Sequence, residues 1–112
     1  MNYEIKLTKS FLKSLKALSK RYRSIKEDLS IFSESLKDNP FQGVELSPGI
    51  RKIRMAISSK GKGKSGGARV ITMTTIISEE SGKIVMVAIY DKSDQETVDV
   101  EVIKRLIKEL EL

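Results

Sequence analysis

The chain has 112 residues, 39% hydrophobic and 32% charged, with a net charge of +6. That balance fits one globular domain, 1–112, with an aliphatic core, since Trp is absent and aromatics make up 5%. With neither Cys nor His, disulfides, zinc–thiolate sites, Ser-His-Asp or Cys-His catalysis and HExxH metalloproteases are excluded, and neither metal nor cofactor is expected.

The opening residues, MNYEIKLTKS, lack the apolar region of a signal peptide, and no apolar run reaches transmembrane length. A cytoplasmic location without membrane contact is therefore expected. Residues 2–7 set Tyr3, Ile5 and Leu7 against polar neighbours, the alternation of a half-buried strand. Thr8 then suits the N-cap of a helix over residues 9–20, with Phe11, Leu12, Leu15 and Leu18 on one face. A second helix is expected over 24–37, opened by a Ser24–Glu27 capping box and buried through Ile25, Leu29, Phe32 and Leu36. Asp38-Asn39-Pro40 ends it, because proline disfavours helical geometry in the residue before it. The short 21–23 link makes the two helices an antiparallel hairpin.

Residues 41–49 read as a connection. Residues 50–58 alternate as a strand, with Ile53, Met55 and Ile57 on one face and Lys52, Arg54 and Ala56 on the other. Residues 59–67 form a Gly/Lys loop, and the β-branched 68–78 a further strand. Residues 83–90, KIVMVAIY, are apolar almost throughout and predict a central strand covered on both faces. A last helix spans 99–110, capped by Asp99, with Val102, Ile103, Leu106, Ile107 and Leu110 as its stripe. The order β, α, α, β, β, β, α predicts an α+β fold: an antiparallel meander, two N-terminal helices on one face, and a C-terminal helix.

Charge is distributed unevenly. Arg51, Lys52, Arg54, Lys60, Lys62, Lys64 and Arg69 fall in one stretch, and no carboxylate occurs between Glu45 and Glu79. Like charges that close are useful when an anion joins them, so a polyanion contact is expected here. Strand alternation places Lys52 and Arg54 opposite the core, and Arg69 and Tyr90 converge with them in a meander. Such a cleft can cleave RNA without metal. Arginine forks hold phosphate oxygens, and crowded cations lower the proton affinity of a lysine or tyrosine that moves protons. The same segments have blander readings. A Lys-Gly loop is an ordinary solvated segment, a strand-end Tyr often packs an edge, and a basic chain is more soluble. The loop is no P-loop, since Ser58 stands where GxxxxGK[ST] needs glycine. Lys104, Arg105 and Lys108 are diluted by Glu101, Glu109 and Glu111 and read as a solvated face.

FLKSLKALSKRY, DNPFQGVEL, IRKIRMAISSKGKGKSGGARVI and VMVAIYDKS together resemble the RelE/ParE superfamily of toxins from toxin–antitoxin modules. GKGKSGGARVI and IYDKS are most similar to its RelE- or HigB-like branch. The resemblance covers the chain from Tyr3 to about Leu110. It implies a microbial-RNase-like α+β domain that cuts mRNA on the translating ribosome, without metal, leaving a 2′,3′-cyclic phosphate. It also implies a cognate acidic antitoxin, assembling with the toxin as a heterotetramer. By the same resemblance Lys52, Arg54, Arg69, Tyr90 and Lys92 are catalytic positions. Arg51, Lys60, Lys62 and Lys64 would add RNA contacts. The sequence departs from the family in a longer basic loop, in Ser93 where some members keep arginine, and in having no His. Two other functions fit the same residues: a ParE-like inhibitor of DNA gyrase without nuclease activity, and a non-catalytic RNA-binding module.

Overall fold

The computed structural model describes residues 2–95 and 98–111, leaving aside the side chains of 109–111. The chain runs β1 (Asn2–Leu7), α1 (Lys9–Arg21), α2 (Ile25–Asp38), β2 (Val44–Ser47), β3 (Ile50–Met55), β4 (Ala68–Ile76), β5 (Ser81–Asp91) and α3 (Val100–Glu111). A single 3-10 turn, Ser58–Lys60, follows β3. The α+β class, the two N-terminal helices and the C-terminal helix are as the sequence predicts. No helix among the described residues is long and apolar enough to cross a membrane.

Thr8 caps α1 as expected, its hydroxyl accepting from the Phe11 N–H at 3.0 Å. That hydroxyl also donates to the Val87 carbonyl at 2.7 Å, so one side chain both starts the helix and pins it to β5. The capping box at α2 does not form. Ser24 has φ −88° and ψ −5°, already helical, and its hydroxyl donates to Asp28 Oδ2 at 2.7 Å instead of capping an end amide. Asn39 ends α2 in extended geometry, as Pro40 requires.

The sheet order is β1-β5-β4-β3-β2. It is not a pure antiparallel meander, because β1 pairs with β5 in parallel, Ile5 beside Ile84. After β1 the chain crosses through both helices, and the last strand enters between β1 and β4. Alternation in NYEIKL identifies a strand but carries no pairing direction. The short edge strand β2 lies inside the expected connection. Its four residues expose Val44 and show no clean alternation, so the sequence carried little signal.

Two apolar layers enclose the sheet. Phe11, Leu18, Ile25, Phe32 and Leu36 from α1 and α2 pack on Ile53, Val70, Ile84, Met86 and Ile89. On the other face Ile103 and Ile107 of α3 pack on Ile71, Val85 and Val87. That explains the continuous apolar run of β5. Leu12, expected on the buried face of α1, is half exposed. Leu110, Glu109 and Glu111 lie outside the described side chains.

Candidate nucleic-acid interface

In β3, β4 and β5 the register sets Arg54 opposite Arg69 and Arg69 opposite Tyr90, so the three share one sheet face. The sequence predicted this convergence. The face is not the open concave surface expected, however, because α3 covers its β5 side and Tyr90 belongs to the same apolar layer as Ile103 and Ile107. Tyr90 is 8% exposed, and its hydroxyl is buried without a hydrogen-bond partner among the described residues. Burial pushes its phenol up, and the Arg69 charge only partly offsets that. This corrects the expectation that neighbouring cations lower it: desolvation by α3 outweighs the one close guanidinium.

Arg69 is also buried, at 7% exposure. Its guanidinium donates to the Lys64 carbonyl at 3.2 Å, the Ser65 carbonyl at 3.0 Å and the Ala68 carbonyl at 3.2 Å. It braces the closing half of the Gly/Lys loop from beneath. The opening half hangs from α2, where Asp28 accepts from the Ser58 N–H at 2.9 Å and the Ser58 hydroxyl at 2.6 Å. The Lys92 N–H donates to the Gly67 carbonyl at 3.1 Å. Between these anchors Gly61 and Gly63 turn the chain at φ 73° and 63°, a region glycine enters freely. The loop is tied at both ends, where a free solvated segment was the plain expectation.

A carboxylate distant in sequence enters the basic stretch here. Asp91, fully buried at the end of β5, accepts from Lys60 Nζ at 2.7 Å and the Ser93 N–H at 2.9 Å through Oδ1. Its Oδ2 accepts from Arg21 at 3.0 Å and the Tyr22 hydroxyl at 2.5 Å. Burial alone would raise this carboxyl. The hydrogen bonds from Lys60, Tyr22 and Ser93 more than offset that, and hold it well below the usual carboxylate range. Lys60 also donates to the Ser93 hydroxyl at 2.8 Å, its side chain only 9% exposed. Lys60 is therefore a neutralised anchor, which corrects its expected place among the free phosphate contacts. Arg51 is likewise engaged, 3.6 Å from Glu45 and 5.7 Å from the centroid of the Phe41 ring.

The sequence reading missed Asp91, Arg21, Tyr22 and Asp28. Asp91 had a usable signal, since an ionisable residue continuing a strand buried on both faces must be paired. Two of its partners, Tyr22 and Arg21, come from 69 and 70 residues away, which no local pattern reveals.

Among the described residues, Lys52, Arg54, Lys62, Lys64 and Lys92 have no carboxylate in ion-pairing range. The braced loop gathers most of them. Lys62 and Lys92 line an open hollow of about 280 Å³ beside Lys60 and Ser93. Arg54 and Lys64 line a second cleft of about 180 Å³ against α2. Lys52 lies two residues from Arg54 on the same strand face. No protein-family model matches the chain.

Proposed function

We propose that this protein binds single-stranded RNA and cleaves it without metal, as a toxin of the RelE/ParE kind acting on mRNA at the ribosome. The observation that carries the reading is the set of unpaired cations, Lys52, Arg54, Lys62, Lys64 and Lys92, presented around a loop fixed by Asp28, Asp91 and Arg69. Fixing the backbone beforehand lowers the ordering cost when phosphates arrive. RNA cleavage needs the 2′-oxygen to lose its proton and attack the adjacent phosphorus, and the departing 5′-oxygen to gain a proton. Arg54 and Lys64 would hold the non-bridging oxygens as charge grows on the phosphorane. Lys92, exposed at the rim, would move protons on this reading. The Tyr90 phenol would donate to the 5′-oxygen on this reading, although it is packed beneath Ile103 and Ile107 of α3. Arg69 acts on this reading through the loop it braces. An acidic antitoxin would cover the same cations, and a toxin–antitoxin heterotetramer is the assembly expected.

A second reading, RNA binding without cleavage, is favoured by the burial of Tyr90 and Arg69. Mapping mRNA 5′ ends in a translating extract separates the two. The proposal expects new ends with the wild-type chain and their loss with Arg54→Ala. Intact mRNA with wild-type protein bound would leave the binding module. Intact mRNA with gyrase–DNA breaks accumulating would refute both.

A further inference from the structure

We infer that the cleft between α2 and the outer edge of β3 holds one unstacked nucleobase of the bound strand, with its phosphate on Arg54 and Lys64. The inference deepens the RNA-binding reading and rests on it.

Three features converge there. The first is a free strand edge. The β2–β3 ladder ends at Val44 beside Lys52, where Gly43, at φ 76°, packs against the β3 backbone. Strand residues send their backbone groups alternately to either side. A Cβ on Gly67 would lie 2.2 Å from the Met55 carbonyl, and one on Gly43 would lie 2.2 Å from the Lys52 carbonyl. Met55 thus points to β4 and Lys52 to β2. Arg54, two residues from Lys52, turns its N–H and C=O outward beyond the end of β2. A donor beside an acceptor complements the edge of a nucleobase, which sets an acceptor beside a donor.

The second feature is an apolar wall. Ile31 is 64% exposed, an uncommon state for an isoleucine on an otherwise amphipathic helix, and it lines the cleft with Phe32, Met55 and Ala56. A planar base covers such a wall, whereas a phosphate would not. The third is the pairing of that wall with charge, since Arg54 and Lys64 line the same cleft. An apolar wall with cations beside it matches a nucleotide, apolar faces at one end and an anion at the other. Gln42 adds a fixed acceptor. Its amide NH₂ donates to the Ser35 carbonyl at 3.1 Å and the Asn39 carbonyl at 2.9 Å, which orients its oxygen away from both. The free edge, Arg54 to Ala56, is too short to seat an added strand of a partner protein.

The test titrates the full chain with a short single-stranded RNA, with the same ribose-phosphate backbone lacking its bases, and with free nucleoside monophosphates. Binding constants and the amide signals of Arg54 and Gln42 are followed by NMR. The base-bearing RNA should bind about tenfold more tightly than the abasic strand, and it alone should shift both amides. In Ile31→Ser, whose exposed position spares the fold, that gap should shrink about fivefold. Equal affinity of the two strands for the wild type overturns the base cleft and leaves RNA binding standing. Binding of neither strand overturns both. Monophosphates that move the two amides while the base-bearing RNA does not would make the cleft a small-molecule site and overturn the inference. So would a gap that persists in folded Ile31→Ser.

Discussion

Replacing Asp91 with Asn removes the charge on which Lys60, Arg21, Tyr22 and Ser93 converge. Losing one partner of a buried pair costs about 3–5 kcal/mol, because the other charge is left uncompensated. Lys60 is nine-tenths buried and bears that cost, whereas Arg21 is 47% exposed and can turn to water. The lower end, about 3 kcal/mol, is therefore expected, or on the order of 10–20 °C in melting temperature for a domain of this size. Arg21→Ala removes a half-exposed cation whose pairs are screened by solvent, and should cost far less than Asp91→Asn. Urea and thermal unfolding of both variants give the comparison. The pH dependence has a definite sign. A carboxyl whose pKa is depressed on folding contributes stability above its unfolded value, about 3.9, and loses it as pH falls toward the folded value. The wild type should therefore lose its advantage over Asp91→Asn as the pH drops below about 4. An Asp91→Asn variant no less stable than Arg21→Ala, or a gap constant with pH, would refute the anchoring role.

Tyr90→Phe deletes a buried hydroxyl without a partner, so stability should hold or rise by up to about 1 kcal/mol; a loss above 1 kcal/mol in chemical denaturation would reveal a native partner. Gly67→Ala places a Cβ 2.2 Å from the Met55 carbonyl and should cost about 2–3 kcal/mol in the same assay. Gly63→Ala meets open space at φ 63° and should cost only about 1 kcal/mol of backbone strain. Lys62→Ala should leave the melting temperature unchanged and reduce the salt slope of RNA binding by ~0.7, one phosphate contact on a single strand. An unchanged slope would remove Lys62 from the interface.

The helices and the central strand were legible because their signals are local. Phe11 and Leu18, or Ile25, Phe32 and Leu36, repeat at helical spacing, and β5 is apolar along most of its length. Pairing direction was not legible, since Tyr3, Ile5 and Leu7 alternate identically in parallel and antiparallel strands. The capping box at Ser24 failed for a tertiary reason. The Ser24 hydroxyl donates to Asp28 and accepts from the Ser59 N–H instead of an end amide, and a backbone group reaching back from the loop does not register in a four-residue pattern.

The basic stretch shows the same limit in electrostatic form. Its seven cations looked equivalent in sequence, since no acid stood among them. In space Arg51 finds Glu45, Lys60 finds Asp91, and Arg69 turns inward to loop carbonyls. Charge density along the chain therefore overstates the set of unengaged cations by three residues and omits Lys92, which the Gly67 carbonyl holds beside the loop. The removed cations determine the site indirectly: anchored, they fix the backbone from which Lys62 and Lys64 project. An anion site of this kind needs internal ion pairs as much as free charges, because a loop of unpaired lysines would open under its own repulsion. Asp91 is thus the residue that most firmly anchors the basic loop, though it carries the opposite charge.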